Sequence, residues 1–367
     1  MTPFWLRRPF LILRDLFTRR ERPNLERLGR IEDPEAFVWA ILPHAARTFS
    51  ACIAMLPARS ALPAAVAYLY CRMLDTYEDL VPDGATRDAS LRAFAGRLSA
   101  ANGTMSTAPT IEHATDRDER DRAHLLLVRR AHLVDRVFLS FDERTREVVR
   151  DLVRDMADGM RWSSATFEAQ GGVLTGEEQL ARYCQNVLGN PVVFGVRLIR
   201  LAHGVTPELT AAERDDAMRV GEMVQLANVT RDVEKDLRRG VAYDATLLGD
   251  LGRDALNGDR ELAERCRLVR ERLLKLALRQ ARSYGRIIEA LDLKGWSVAR
   301  ASGVLMLLFT ERYFRGCARR VGLPVWDGPA STLSLLARTF RSTFSSRIAF
   351  REIARVERAF LATAGHR

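Results

Sequence analysis

Gln225-Leu-Ala-Asn228-Val-Thr-Arg231-Asp232-Val-Glu-Lys-Asp236 is the stretch on which the fold turns. Asn228, Asp232 and Asp236 stand at i, i+4 and i+8, which on an α-helix lines three oxygen-bearing side chains along two turns. Gln225 extends this stripe by a turn and Arg231 lies beside it. The run from Ala211 to Leu237 keeps helical apolar spacing, with Gly221 at its mid-point, and predicts one long helix. Amide and carboxylate oxygens are hard ligands suited to Mg²⁺, which keeps several waters and is completed by substrate phosphates.

A second acidic stretch, Asp75-Thr76-Tyr77-Glu78-Asp79, ends an apolar helix predicted over about Leu62 to Leu80. Asp75 and Asp79 share a helix face, and Glu78 flanks Asp75. Like charges at this spacing cost a helix about 0.2–0.5 kcal/mol per pair. A divalent cation between them removes that cost; the plainer alternative is a solvated acidic helix end. Two such stripes on different helices are more specific than either alone. A diphosphate held between them by bridging Mg²⁺ becomes a good leaving group, and the carbocation left behind needs a dry, apolar cavity.

Outward from these stretches the pattern is helical nearly throughout. Asp33-Pro34-Glu35 reads as an N-cap with Pro at the first helical position. Further helices are expected over Ala36 to Met55 and at about 123–140, 142–163, 176–203, 209–238, 258–292, 295–321 and 329–363. Residues 101–121 read as a polar loop. No strand periodicity or short repeat is visible. The expected architecture is all-α: one large helical bundle around a central apolar cavity. Its divisions are a basic amphipathic extension (1–30), a main helical domain (31–325) and a C-terminal helical tail (326–367).

Composition bounds the function. Lys plus Arg is 57 against 47 for Asp plus Glu, a formal charge of +10, which suits an anionic partner. No nucleic-acid motif accompanies the charge, so nucleic acid is not an expected partner. Five cysteines without a CxxC pair indicate a reduced, cytoplasmic chain with buried thiols. The histidines show no zinc-ligand spacing. Met156, Met160 and Met223 read first as core fillers.

No segment reaches the roughly 20 apolar residues of a spanning helix. The stretch Phe4 to Phe17, with Arg7, Arg8, Arg14, Arg19 and Arg20 in or beside it, lacks the unbroken centre of a signal peptide. It reads either as an interfacial helix, giving peripheral contact with the cytoplasmic membrane surface, or as a terminal helix docked on the protein's own core.

At this point the residues resemble a known family, the squalene/phytoene synthases, which are head-to-head prenyltransferases of the class I isoprenoid fold. Asp75-x-x-x-Asp79 and Asn228-x-x-Arg-Asp232-x-x-x-Asp236 look like its two aspartate-rich motifs. Arg47-Thr48-Phe49 followed by Leu56-Pro57 is similar to its N-terminal element. Tyr183-Cys184 with Val187-Leu188-Gly189 resembles its Tyr-Cys-x-x-Val-Ala-Gly signature. Arg238-Arg239-Gly240-x-x-Tyr243 resembles its flap near the diphosphates. These elements run from about residue 44 to 243, and with flanking helices the resemblance covers 34–320.

The resemblance implies roles. Asp75, Asp79, Asn228, Asp232 and Asp236 would hold Mg²⁺ (or Mn²⁺) and the diphosphates, with Glu78 assisting. Arg47, Arg72, Arg231, Arg239 and Tyr243 would contact phosphate oxygens. Phe49, Tyr183 and Gln225 would line the cavity. The reaction implied joins two identical isoprenyl diphosphates into a cyclopropyl diphosphate, then rearranges it to a linear hydrocarbon, with NADPH needed only for reduction to squalene. Two departures stand out. Leu188 replaces a small alanine, which would shorten the cavity or change the product. Asp244-Ala245-Thr246-Leu247 replaces the family's usual proline-containing pair after the flap. Asp-Thr-x-Glu-Asp favours squalene from two farnesyl diphosphates; the flap Val233 to Gly240 is closer to phytoene synthases. A divergent cyclase of one prenyl diphosphate is a further alternative, and a non-catalytic assembly protein is disfavoured by the intact ligand set.

Overall fold

A computed structural model describes residues 4–18, 22–46, 48–99, 105–112, 118–255 and 259–366. The chain is 77% helical, and no strand occurs among the described residues. The all-α expectation therefore holds. The chain divides into two compact units, residues 1–161 with 197–207, and residues 162–196 with 208–367.

The first unit opens with α1 (Phe4–Phe17) and α2 (Leu25–Gly29). It continues through α3 (Pro34–Ala46), α4 (Thr48–Ala54), α5 (Ala58–Leu80), α6 (Gly84–Arg97), α7 (Glu119–Arg129), α8 (Ala131–Leu139) and the first part of α9 (Glu143–Ala169). The expected cap of α3 is present: Asp33 Oδ1 accepts from the Ala36 N–H at 2.7 Å. On α5, Tyr70, Met73, Leu74 and Tyr77 are fully buried. Behind them Asp135 on α8 takes both Arg97 guanidinium nitrogens at 2.8 and 2.9 Å and the Tyr70 hydroxyl at 2.8 Å. A bidentate, buried pair with its remaining lone pairs used is the geometry in which an interior charge is tolerated.

α1 packs against α4, and its arginines turn towards the protein. Arg7 pairs with Glu35 at 2.8 Å, Arg8 donates to the Leu56 carbonyl at 2.9 Å, and Arg14 donates to the Trp39 carbonyl at 2.7 Å. Leu6, Phe10 and Leu13 stay exposed. The helix is docked on its own unit, whatever its outer face meets. Arg19 and Arg20 lie outside the described residues.

The second unit begins within α9 and contains α10 (Glu177–Cys184), a π-helical turn Gln185–Gly189, and α11 (Asn190–Ala202), of which the last residues belong to the first unit. Then come α12 (Ala211–Arg238), a 3₁₀ turn Ala245–Asp250, α13 (Arg260–Arg279), α14 (Ala281–Ala290), α15 (Val298–Val321), α16 (Thr332–Phe344) and α17 (Ser346–Ala364). α12 is its axis, touching the π-turn, α13, α14 and α15. A reciprocal capping box starts it, Thr210 with Glu213, which satisfies two otherwise orphaned amides. Its rear is fixed by the buried Arg270, whose Nε–H donates to the Thr230 carbonyl at 2.7 Å and which also pairs with Glu234.

Several expected helices are divided. The helix expected over 123–140 breaks at Arg130, that over 176–203 contains the π-turn, that over 258–292 breaks at Gln280, and that over 329–363 breaks at Ser345. α6 was not expected at all. All five cysteines are buried and none is in a disulfide. Among the described residues no helix is long and apolar enough to cross a membrane.

Candidate active site

The two acidic stretches fall in different units, and each has its own geometry. In the first unit the site is a ridge on α5. Tyr68, Arg72, Asp75 and Asp79 follow at i, i+4, i+7 and i+11, one face of the helix. Arg72 Nη1 lies 2.9 Å from Asp75 Oδ2, and its Nη2 donates to the Tyr68 hydroxyl at 3.4 Å. Its Nε–H is buried without an acceptor, a donor that an anionic oxygen would satisfy. Phe49 packs on Tyr68 with ring centroids 6.1 Å apart, so Phe49 and Arg72 do belong to one cluster. Arg47 lies outside the described residues.

Burial pushes the Asp75 carboxyl up to about 6; Arg72 pulls it down, the Asp79 charge pushes it up further, and Arg120 pulls it down. Arg72 is held charged more firmly than usual even though burial opposes it, because Asp75 faces it. The same ion pair favours both charges, yet for the carboxylate desolvation is the larger effect. Arg120, at the start of α7, was not expected here. It comes from the stretch 101–121 read as a loop, and nothing in the local sequence marks it. Glu78, at the same helix end, is half-buried.

In the second unit the stripe on α12 is joined to the segment that follows it. Asn228 Nδ2 donates to Gln225 Oε1 at 3.1 Å, and Gln225 is buried. Arg231 grips Asp232 through Nε at 2.9 Å and Nη2 at 2.5 Å, and its guanidinium lies 5.5 Å from the Tyr313 ring centre. Asp236 accepts from the Tyr243 hydroxyl at 3.2 Å. Burial, then the Asp232 charge, pushes Asp236 up to about 6, against Tyr243, Arg239 and Lys235. Arg239 is exposed and reaches the site by its field alone.

Tyr183 and Tyr243 pack at 5.4 Å between ring centroids, and Phe167 stands edge-on to both at 5.9 and 6.1 Å. Phe167, at the end of α9, was missed because nothing in its neighbourhood resembles a motif. The flap segment is pinned despite its lack of proline. Ala242 pairs with the 172–174 strand-like turn: its N–H donates to the Gly172 carbonyl at 2.9 Å and its carbonyl accepts from Leu174 at 3.0 Å. Gly172 has φ +96°, and a Cβ there would stand 2.3 Å from the Gly240 carbonyl oxygen, so only glycine fits. Asp244 then caps the 3₁₀ turn through the Thr246 N–H at 3.0 Å.

The π-turn explains the departure at Leu188. A Cβ on Gly221 would lie 2.3 Å from Gly189 Cα and 2.4 Å from the Leu188 carbonyl carbon. The two backbones therefore touch, and the need for small residues falls on Gly189 and Gly221. Leu188 itself is half-buried. Gly221, Gln225, Asn228 and Asp232 stand at i, i+4, i+7 and i+11, so this contact is the foot of the polar stripe. Beside it the buried Glu222 accepts from Gln185 and Gln280, both at 3.2 Å, and burial raises its carboxyl.

Among the described residues, no three or more of His, Cys, Asp and Glu gather as a metal cluster. Each stripe instead offers oxygen donors on one helix, with a carboxyl whose charge is disfavoured by burial and a neighbouring acid. A Mg²⁺ ion relieves that cost and needs few protein ligands when phosphates and waters complete its shell. The donor chemistry fits.

The family model for squalene/phytoene synthases matches residues 42–312. The chain is 30% identical over 218 residues to a squalene synthase of Botryococcus braunii, covering 58% of this chain and 43% of that protein. It is 30% identical over 215 residues to the lycopaoctaene synthase of the same organism, covering 56% and 43%. The chain thus spans less than half the length of these curated relatives. The solved structure of TcSQS with the ligand BPH1237 aligns at a TM-score of 0.67 and 16% identity, over 91% of this chain and 99% of that one. At that identity the likeness is one of fold.

Proposed function

The chain belongs to the squalene/phytoene synthase family, and on that premise we propose that it condenses two identical isoprenyl diphosphates head to head. Farnesyl diphosphate is the substrate we favour, with presqualene diphosphate as intermediate and squalene as product. The observation that carries the reading is the matched placement of Asp75 with Asp79 on α5 and of Asp236 with Asp232 on α12, each a pair of carboxylates one turn apart. Asp75 and Asp236 are each a half-buried carboxyl with an acidic neighbour one turn away on its own helix. Each stands beside a cation or hydroxyl suited to a phosphate, Arg72 at 2.9 Å from Asp75 and the Tyr243 hydroxyl at 3.2 Å from Asp236; burial pushes both carboxyls up to about 6.

Bound Mg²⁺ would neutralise the diphosphate and make it a leaving group. On α5, Asp75 and Asp79, with Glu78 assisting, would be protein ligands for Mg²⁺ in the first unit, and Asn228, Asp232 and Asp236 on α12 would be ligands in the second. Arg72 would turn its unsatisfied Nε–H and its Nη groups to diphosphate oxygens, sharing the charge that develops as the C–O bond breaks. Arg231 is already charged and oriented by Asp232 to do the same. Tyr243 would keep Asp236 ionised by donating to it. Phe49 in the first unit, and Tyr183 and Gln225 in the second, would line surface for an isoprenyl chain, where aromatic faces stabilise an allylic cation without attacking it. The flap, the residues Val233 to Gly240, favours a second reading, release of an unreduced product without NADPH.

The test is product identification. Purified protein with Mg²⁺ and farnesyl or geranylgeranyl diphosphate, with and without NADPH, is extracted and analysed by gas chromatography–mass spectrometry beside Asp75→Asn. A linear hydrocarbon of twice the substrate's carbon count, absent from the variant, supports the proposal. NADPH dependence selects squalene over an unreduced product. A cyclic product of one substrate's carbon count overturns it.

A further inference from the structure

α16 carries a face that its unit leaves uncovered. Leu335, Thr339, Ser342 and Thr343 are buried, and the helix packs on α15 and α17. On the opposite side Leu333, Ala337, Phe340 and Phe344 follow at i, i+4, i+7 and i+11, one stripe along the helix. Leu333 is 76% exposed, Phe340 63% and Phe344 55%. The Phe340 and Phe344 rings pack edge-on at 4.9 Å. Trp296, 62% exposed, adjoins the end of this stripe. The Ser297 N–H donates to the Thr343 carbonyl at 2.9 Å. The buried Arg300 donates to the carbonyls of Gly295 and Thr343, at 2.6 and 3.1 Å. Both residues flanking Trp296 are thus tied to the turn before Phe344. Single exposed apolar side chains need no explanation, but four large ones on a rigid support do.

The charge around this face has one sign. From residue 328 to 351 the sequence holds no Asp or Glu and has Arg338, Arg341, Arg347 and Arg351. Arg338 pairs with Glu352 at 2.9 Å. Arg341, Arg347 and Arg351 are exposed, and no acidic side chain pairs with them among the described residues. The acid in the loop before Trp296, Asp292, pairs with Lys294 at 3.2 Å. α1 has exposed apolar residues too, but the arginines within it, Arg7, Arg8 and Arg14, are engaged by its own unit.

We propose that the outer face of α16, with Trp296 and the first turns of α17, docks on an anionic lipid surface. Leu333, Phe340 and Phe344 enter the acyl boundary, Trp296 takes the headgroup level, and the arginines meet lipid phosphates. A second copy of the chain is a poorer occupant. A two-fold contact through this face would bring two arginine-rimmed stripes together. The proposal stands on this surface and is independent of the reaction.

The test is flotation of the full-length protein with phosphatidylcholine vesicles, with and without phosphatidylglycerol. The wild type floats with the anionic vesicles and is released by salt. Arg341→Ala with Arg347→Ala weakens binding about 25-fold, at about fivefold per arginine. Phe340→Ser with Phe344→Ser weakens it more than about 100-fold. A readout that leaves the stripe intact is fluorescence quenching by brominated lipid, which is lost in Trp296→Phe. Failure of the wild type to float, equal flotation of the variants, or quenching unchanged in Trp296→Phe overturns the proposal. So does a solution dimer that Phe340→Ser dissociates, which gives the face to a second copy.

Discussion

Gly221→Ala tests the joint between the π-turn and the polar stripe of α12. An added methyl would sit 2.3 Å from Gly189 Cα and N and 2.4 Å from the Leu188 carbonyl carbon. Carbon atoms rest about 3.5–4.0 Å apart, so the π-turn must withdraw by more than an ångström, and all three atoms are backbone. Overpacking of this kind costs about 1–3 kcal/mol, occasionally more. The gain in helix propensity from Gly to Ala returns about 1 kcal/mol. Three rigid contacts put the cost at the top of that range, so the expected net loss is about 2 kcal/mol. Gly195→Ala on α11 is the control, since a Cβ there meets nothing within 4 Å; it is expected to gain about 0.5–1 kcal/mol. Gly189→Ala should fall between, because its tightest contact, at 2.6 Å, is with the Met218 sulfur, which can move. Urea unfolding followed by far-ultraviolet circular dichroism gives all three. The same shift displaces Gln225 and Asn228, so kcat/KM of Gly221→Ala should fall at least about tenfold. If Gly221→Ala matches Gly195→Ala within about 1 kcal/mol, the backbone contact is not as close as described and the reasoning fails.

Asp75→Asn should stabilise the metal-free protein near pH 7.5 while abolishing turnover. The folded-state carboxyl is raised from 3.8 to about 6, so the folded state binds the extra proton between those values. The stability cost grows as pH rises through that window and is complete above about 6. A rise of that size corresponds to about 3 kcal/mol; with the side chain 29% exposed, about 1–2 kcal/mol is expected, shrinking towards pH 4, and urea midpoints at two pH values check it. Tyr243→Phe removes the donor that favours charged Asp236, so that carboxyl should rise further. The Mg²⁺ concentration for half-maximal rate should increase about tenfold near pH 6 and less at pH 8, read from metal titrations of the rate. Arg97→Met strands the buried Asp135 and should cost about 3–5 kcal/mol, partly restored by adding Asp135→Asn; a loss below about 1 kcal/mol in the single variant would contradict the role given to this pair.

The stripes on α5 and α12 were readable because i, i+4 spacing is local and oxygen ligands are distinctive residue types. The breaks were not, because long-range contacts make them. Arg130 stops a helix where its guanidinium donates to the Ile31 carbonyl at 2.7 Å. Gln280 stops another where its amide meets Glu222. The π-turn exists where Gly189 meets Gly221, which are far apart in sequence. α6 was legible in principle, since Asp83 caps the Thr86 N–H at 2.7 Å, but Pro82-Asp83-Gly84 reads equally as a stop. Arg120 and Phe167 enter the two sites only through tertiary placement. At the N-terminus, the pattern of arginines and aromatics has the same look whether a helix meets lipid or its own protein; Glu35 and the carbonyls of Trp39 and Leu56 decide where those arginines go.

The central claim is that two acidic stripes use Mg²⁺ to ionise an allylic diphosphate. Its most direct measurement is release of inorganic diphosphate from farnesyl diphosphate as Mg²⁺ is titrated into metal-free protein, alongside Asp75→Asn and Asp232→Asn. The account predicts no release without the metal, saturable release with it, and a fall of at least about a hundredfold in each variant. Release that is unaffected by chelator, or that survives both substitutions, would contradict it.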